Sequence, residues 1–229
     1  MRDSTLKLPP LHYNPPTDPL RILYQDDDVL VLSKPSGLLS VPGKAEDQRD
    51  CLETRAQDQI PNALLTHRLD LETSGIFMMA MNKVAQAHIN LQFEKRRTKK
   101  QYVARVWGNV AEDIGHIDLP ICVDWENRPR QMISYEHGRS AQTDWHVLDR
   151  GKLPCGNDVT RMLLKPITGR SHQLRIHMEC IGHPILGEVF YAHDDAEFAA
   201  DRLQLHAQSL TIYHPKDDAE ITFTDPAPF

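Results

Sequence analysis

The 229-residue sequence predicts an α+β fold built on a mixed, mostly antiparallel sheet. Segments of strand length, either continuously apolar or alternating, recur along the chain between turns rich in Gly, Pro and Asp. Segments with helical spacing are few, and they follow the strands irregularly rather than one by one. We therefore expect a sheet that is flanked by helices and loops.

Residues 1–20 are expected to form an extended arm, and residues 21–229 to form one folded domain. The arm is rich in proline, which disfavours both helix and central strand. Its prolines are Pro9, Pro10, Pro15, Pro16 and Pro19. Apolar or alternating segments predict strands at 22–24, 29–32, 76–81, 101–108, 143–147, 159–164 and 205–210.

Three segments are predicted to be helical. The pattern over 51–60 is weak, whereas Asn82 is a good N-cap for a helix that runs to about Arg96. In that second helix, Val84, Ala87 and Leu91 are predicted to form the buried stripe, widened by Ile89 and Phe93. A short third helix places Leu174, Met178 and Ile181 on one face and ends before Gly182.

Composition is ordinary for a globular protein, with 40% hydrophobic and 25% charged residues. No apolar run approaches the roughly 20 residues that a membrane helix needs, and residues 1–5 lack an apolar signal core. The cysteines are widely spaced and form no CxxC pair, which is typical of free thiols in a reducing compartment. We therefore expect a cytoplasmic protein.

Charge is unevenly distributed. The chain has 26 basic and 32 acidic residues and a formal charge of −6, which by itself argues against a general polyanion binder. Residues 95–100, however, contain five positive charges. This basic cluster is compatible with a solvated helix end and with phosphate contact.

A polar stretch, His67–Gly75, stands directly before the apolar segment 76–81 and is predicted to be a loop. Catalytic groups are often carried by loops that a rigid strand positions. On residue type alone, Asp70 is also compatible with a turn aspartate that bonds to nearby backbone.

The stretch resembles the signature loop of the RluA family of pseudouridine synthases, HRLD followed by two variable residues and TSG. Further family motifs are matched by 33–37, with Ser33 where Asn is usual, by 100–108, and by 205–210. Residues 169–188 match another motif nearly throughout, with Glu188 where Asp is usual. The resemblance covers about residues 20–229. It implies a pseudouridine synthase catalytic domain over 21–229, without the S4 domain that many relatives carry in front.

In this family the loop aspartate is catalytic, so the resemblance implies that role for Asp70. It implies that Arg175 is the basic partner of the aspartate and that Tyr102 lies against the target base. Without the resemblance, Arg175 is equally a surface partner of Glu179, and Tyr102 is a core tyrosine. Lys34 is open to two interpretations, phosphate ligand or part of a structural turn.

The implied substrate is RNA, with the tRNA anticodon loop and a 23S rRNA hairpin as targets. The predicted RNA contacts are Arg68, His67, Lys99, Lys100, Arg128, Arg130 and Arg170, and the predicted base pocket contains Leu174 and Ile176. No cofactor, metal or obligate protein partner is expected, because the isomerisation oxidises nothing and donates no group. Attack at C1′, attack at uracil C6 and a glycal route are all compatible with the resemblance.

The sequence leaves two other functional classes to compare, a metal hydrolase and a non-catalytic RNA-binding module. His172, His177 and His183 are close in sequence, as in some metal hydrolases, but their spacing is not HExxH. A non-catalytic RNA-binding module would keep the fold and lose a catalytic group, whereas Asp70, Tyr102 and Arg175 are all present. A single rRNA target remains an alternative to the two-RNA specificity.

Overall fold

The computed structural model describes residues 12–229, and within them the secondary structure alternates irregularly. The strands are β1 Arg21–Gln25, β2 Val29–Lys34, β3 Leu64–Leu65, β4 Ser74–Ala80, β5 Lys99–Trp107, β6 Ile114–Asp118, β7 Ile121–Val123, β8 Gln131–Ile133, β9 Gln142–Lys152, β10 Asp158–Pro166, β11 Leu205–Tyr213 and β12 Glu220–Thr224. The helices are α1 Leu52–Gln59, α2 Lys83–Glu94, α3 Gln173–Cys180 and α4 Asp194–Glu197, and a 3₁₀ turn covers Glu46–Gln48. No helix within 12–229 is long and apolar enough to cross a membrane.

The chain divides into two compact units. The Asp70 unit comprises Tyr13–Gln101 and His206–Pro228, and the Arg175 unit comprises Tyr102–Leu205 with the terminal Phe229. The predicted arm lies partly outside the described residues. Within residues 12–20 no regular structure forms, and the buried Tyr13 donates its hydroxyl to the carbonyl of Asp50 at 2.7 Å.

In the Asp70 unit, β1, β2, β4 and β11 lie side by side in that order. In addition, β3 pairs with β4, and β12 pairs with β11. All of these pairs are antiparallel except β4 with β11, which is parallel. Every residue of β4 is buried, which is why its sequence is continuously apolar after Ser74–Gly75 rather than alternating.

Helix α2 packs with a different face from the one predicted. Asn82 is its N-cap, as expected, and accepts a hydrogen bond from the backbone of Ala85 at 2.8 Å. The buried positions are Ala85, Ile89 and Gln92, whereas Val84 is 80% exposed. The predicted stripe of Val84, Ala87 and Leu91 is therefore wrong, because all three face solvent.

The Arg175 unit contains an antiparallel sheet in the order β5, β10, β9, β6, and a separate ribbon of β7 and β8. Its main core combines both periodicities seen in the sequence. Trp145 comes from alternating β9, and Leu174 and Met178 come from one face of α3, with Ile181 packed against them. Helix α3 ends as predicted, with Gly182 at a φ of 81°. The predicted α+β class with a mostly antiparallel sheet is confirmed.

Candidate active site

The loop 66–73 leads from β3 into β4, and side chains continue the hydrogen bonds of that strand pair. Thr66 donates its hydroxyl to the carbonyl of Met78 at 2.6 Å, and Met78 donates its backbone N–H to Nε2 of His67 at 2.9 Å. The backbone groups of β4 are thereby satisfied where β3 ends. The loop begins from a fixed position.

His67 is half-buried and packs between two phenylalanine rings. Its ring lies 4.7 Å from that of Phe77 and 5.0 Å from that of Phe93, measured between centroids. Burial, together with the charge of Lys100, lowers the pKa of His67 to about 4. A neutral ring whose Nε2 accepts carries its proton on Nδ1. His67 thus orders the loop through its contact with β4, and its predicted RNA contact stays a prediction.

Asp70 lies at the turn of the loop. The backbone N–H of Thr73 donates to the carbonyl of Asp70 at 3.2 Å. The preceding residue, Leu69, is buried, and its backbone N–H and carbonyl are both bonded to the hydroxyl of Ser40, at 3.0 and 2.7 Å. Arg68 is exposed and Asp70 is half-buried. The anchoring of Leu69 therefore holds the backbone beside Asp70.

Lys34 clamps the other side of the turn. Its ammonium is fully buried and donates to the carbonyls of Pro35, Leu38 and Leu71 at 3.0, 2.6 and 2.9 Å. Burial lowers its pKa to about 7, against the opposing influence of the carboxylates of Glu72 and Asp70. Because all three ammonium protons are used inside the protein, the structural interpretation of Lys34 holds.

The far end of the loop is fixed by hydrogen bonds that join the side chains of Ser74 and His206 to the backbone of Asp225. Ser74 Oγ lies 2.9 Å from Nδ1 of His206, whose Nε2 lies 2.8 Å from the carbonyl of Asp225. Sequence reasoning recognised the strand of His206 but not this contact, because 132 residues separate it from Ser74. Gly75 is required here, since its φ is 108° and a Cβ would lie 2.3 Å from the carbonyl oxygen of Ala207. These contacts fasten the start of β4 to β11.

In the Arg175 unit, Arg175 projects from α3 and is only 2% exposed. Its Nε and Nη2 donate to the two carboxylate oxygens of Glu188 at 2.5 and 2.7 Å. Glu188 is fully buried and also accepts the backbone N–H of Phe190 at 2.8 Å. The alternative of a surface pair with Glu179 is wrong, because Arg175 is buried while Glu179 is exposed. A bidentate pair of this kind fixes the plane of the guanidinium.

The remaining predicted base contacts lie in the same unit but not all together. Tyr102, on β5 opposite Leu164, is partly buried against the main core cluster that contains Leu174. Ile176 belongs to a different cluster, with Ile121 and Ala141. Two positions along a helix turn the side chain by about 200°, so Leu174 and Ile176 pack in different clusters. Their joint role in a base pocket stays a prediction.

The predicted RNA-binding cations differ in availability. Lys99 is exposed, and its ammonium pairs with Glu220 at 2.6 Å. Lys100 is half-buried, and its pKa is lowered to about 8 by burial and by the charge of Arg96. Arg170 is half-buried and donates to the carbonyl of Ser140 at 3.1 Å. Arg128 and Arg130 lie in the loop between β7 and β8.

The three clustered histidines bond to separate partners. His172 Nδ1 lies 2.8 Å from the hydroxyl of Tyr191, and His183 Nδ1 lies 2.8 Å from the carbonyl of Trp107. His177 is buried, with Nδ1 at 3.0 Å from the hydroxyl of Thr143. Over residues 12–229, no group of three His, Cys, Asp or Glu side chains is placed to hold a metal ion.

Comparison with known proteins gives these features a class. Residues 28–180 match the family model described as RNA pseudouridylate synthase. The structure is similar to human RNA pseudouridylate synthase domain containing 1, with a TM-score of 0.77 and 31% identity, covering 97% of this chain and 87% of that chain. Its similarity to human RNA pseudouridylate synthase domain containing 4 has a TM-score of 0.71 and 25% identity, covering 91% and 88%. The fold and the loop of Asp70 thus define an RNA pseudouridine synthase, an isomerase.

The family within that class follows from the sequence relatives. The chain is 51% identical over 219 residues to the dual-specificity RNA pseudouridine synthase RluA of Escherichia coli strain K12, covering 95% of this chain and 98% of the relative. It is 51% identical over 208 residues to the enzyme of that name from Yersinia pestis, covering 91% and 99%. The chain belongs to the RluA family of pseudouridine synthases.

Proposed function

We propose that this enzyme isomerises uridine 32 in the tRNA anticodon loop and uridine 746 in a hairpin of 23S rRNA. Support comes from the relatives, whose name describes a dual-specificity enzyme and which match this chain over nearly its whole length. An enzyme that accepts two RNAs must recognise what their loops share. Cytoplasmic location and independence from protein partners are parts of the same proposal.

The reaction cleaves the bond from C1′ to N1, rotates the uracil and rejoins it through C5. No electron is gained or lost overall, so the proposal includes no cofactor. A carboxylate acts in such a reaction as nucleophile or as base, and we assign this role to Asp70. The observation that carries the assignment is the double support of its turn, by Lys34 on Leu71 and by Ser40 on Leu69. Preorganised geometry of this kind lowers the barrier of the chemical step.

Other residues are proposed to handle the base and the stack. A target uridine must leave its stack before it reacts, which costs a few kcal/mol and favours loop uridines. Tyr102 offers an aromatic face to the flipped uracil, and Leu174 an apolar contact. Arg175, held in one orientation by Glu188, supplies a fixed positive charge. The exposed Arg68 is suited to fill the vacated position in the stack.

The RNA backbone is proposed to contact Lys99, Lys100, Arg128, Arg130 and Arg170. Phosphate contacts position the RNA and carry no sequence information, so specificity rests on the loop's bases and on the shape the loop adopts. We expect an isolated anticodon stem-loop to be modified nearly as well as the full tRNA. An inert stem-loop alongside reactive tRNA would show that recognition extends beyond the loop.

The experiment is tritium release from C5-labelled uridine in a synthetic stem-loop. The wild-type enzyme should release tritium, and Asp70→Asn should release none while its thermal midpoint stays near that of the wild type. Asp113→Asn is the matched control, because Asp113 is 82% exposed in a surface pair with Arg150. Appreciable turnover by pure Asp70→Asn would refute the catalytic role of Asp70.

A further inference from the structure

The loop between β7 and β8 presents a tryptophan to solvent. Trp125 is 70% exposed, whereas Trp145 is buried and Trp107 is half-buried. The guanidinium of Arg128 lies over the indole of Trp125, with the central carbon 3.6 Å from the ring centroid. Tryptophan is well buried on average, so an exposed indole whose one face is already covered by an arginine is a distinctive surface.

The loop that carries this pair is internally bonded. The carboxylate of Asp124 accepts the backbone and side-chain N–H groups of Asn127, at 3.2 and 2.9 Å. Backbone bonds join Asp124 N to the carbonyl of Arg130 at 3.1 Å and Arg130 N to the carbonyl of Asn127 at 3.0 Å. Trp125 is therefore displayed by a defined turn, so less conformational entropy is lost when a ligand binds.

The same loop is fastened to Tyr191, whose ring also lies near Arg175. The backbone N–H of Gln131 donates to the hydroxyl of Tyr191 at 2.8 Å, and the Arg130 guanidinium lies 5.6 Å from the Tyr191 ring. The guanidinium of Arg175 lies 5.9 Å from the centroid of the same ring. Arg128 is three residues from Gln131, and three residues span at most about 11 Å. The exposed pair thus stands within a few nucleotides' reach of Arg175.

The two arginines of the loop keep their charge available. Neither guanidinium has a carboxylate within 4.0 Å among residues 12–229, in contrast to Arg175 and Arg150. Of the nearby acids, Asp124 is occupied by Asn127, which leaves Glu126 as the exposed carboxylate of the turn. An aromatic face beside unpaired arginines is the combination that binds unpaired nucleotides, through base stacking and phosphate contact.

We propose that Trp125, backed by Arg128, is a stacking site for an unpaired base of the RNA substrate other than the uridine that reacts. This inference rests on the proposed function. One indole face is covered by Arg128, and a base stacks on the open face. The arginine faces the neighbouring phosphate, so the site holds a second extruded nucleotide while the target uridine reacts. Recognition of the loop then includes the ability to release two bases.

The test compares Trp125→Ala with wild type on the stem-loop. Loss of one stacked base weakens nucleic-acid binding about 5- to 150-fold, and we expect this loss mainly as an increase in KM for tritium release. Trp125→Phe should recover most of the affinity, because it restores an aromatic face. Phe198→Ala is the control, because Phe198 is 78% exposed and is assigned no RNA contact. It should match wild type.

The base itself is located by abasic substitution, one loop nucleotide at a time. At one position the abasic RNA should bind wild type and Trp125→Ala equally, while every other position retains the difference. In addition, RNA should quench the tryptophan fluorescence of wild type much more than that of Trp125→Phe. An unchanged KM for Trp125→Ala, or a defect that no abasic position removes, would overturn the stacking site. Failure of the wild-type enzyme on every RNA would instead refute the proposed targets.

Discussion

Replacement of Glu188 is expected to damage both the fold and the reaction. Glu188→Ala removes two hydrogen bonds to Arg175 and one to the backbone of Phe190. It leaves a guanidinium that is 2% exposed without its carboxylate. Breaking a buried ion pair by removing one partner costs about 3–5 kcal/mol. For a chain of this length, that corresponds to a decrease of roughly 6–20 °C in the thermal midpoint.

Two conservative variants separate charge from packing. Glu188→Asp keeps the charge with one methylene less, and it restores the residue that the family motif usually has. Glu188→Gln keeps the length but turns an amide N–H₂ toward the guanidinium. We expect Glu188→Asp to retain most of the wild-type kcat and Glu188→Gln to lose it. Glu188 acts by positioning Arg175 and is assigned no contact with the RNA backbone. We therefore expect KM to change less than kcat.

The assays are thermal denaturation and single-turnover tritium release with the stem-loop RNA. Asp113→Ala is the matched control, because it removes a carboxylate from an arginine at 2.8 Å on the surface. Exposed pairs of this kind contribute at most about 1 kcal/mol. If Glu188→Ala were as stable as Asp113→Ala, the pair with Arg175 would not stabilise the fold. If Glu188→Gln kept the wild-type kcat, the charge would not position Arg175.

Three further predictions concern the loop and the basic cluster. Lys34→Met should lower kcat and reduce the free energy of unfolding by about 1–3 kcal/mol for each carbonyl left unsatisfied. A wild-type kcat in this variant would show that the contact of Lys34 with Leu71 is dispensable. Burial lowers the pKa of His67 in the folded state to about 4, from about 6.5 in an unfolded chain. Between these values the unfolded chain binds the extra proton, so stability falls as pH decreases from 6.5 toward 4. Denaturation at pH 7 and 5 should show this fall in wild type and a smaller one in His67→Gln; equal falls would contradict the shift. Lys99→Gln should reduce the slope of the logarithm of the RNA-binding constant against log salt by about 0.7–0.9. The contribution of Lys100 to RNA binding should decline as pH rises through about 8. Filter binding over a salt and pH series measures both effects, and unchanged slopes would remove these residues from the RNA contacts.

The short-range pattern of the sequence was sufficient where one face of an element is plainly apolar. Leu174, Met178 and Ile181 pack in one core cluster, as their helical spacing predicted. In α2 the pattern was ambiguous, since apolar residues occur on two faces. The structure resolved it through Gln92, a polar residue that bonds to both backbone groups of Tyr213, at 2.7 and 2.8 Å. A hydrophobicity pattern gives no weight to such a residue.

By itself the sequence determined the class of fold, the loop of Asp70 and the family motifs, because these depend on residue type and local spacing. Tertiary structure decided which polar groups meet. Lys34 became a clamp because burial places it against Leu71, 37 residues away. Arg175 found Glu188 rather than Glu179 because α3 buries that face. His67 packed against the rings of Phe77 and Phe93, and Trp125 remained exposed. Each outcome depends on desolvation and on long-range contacts, which local spacing does not encode.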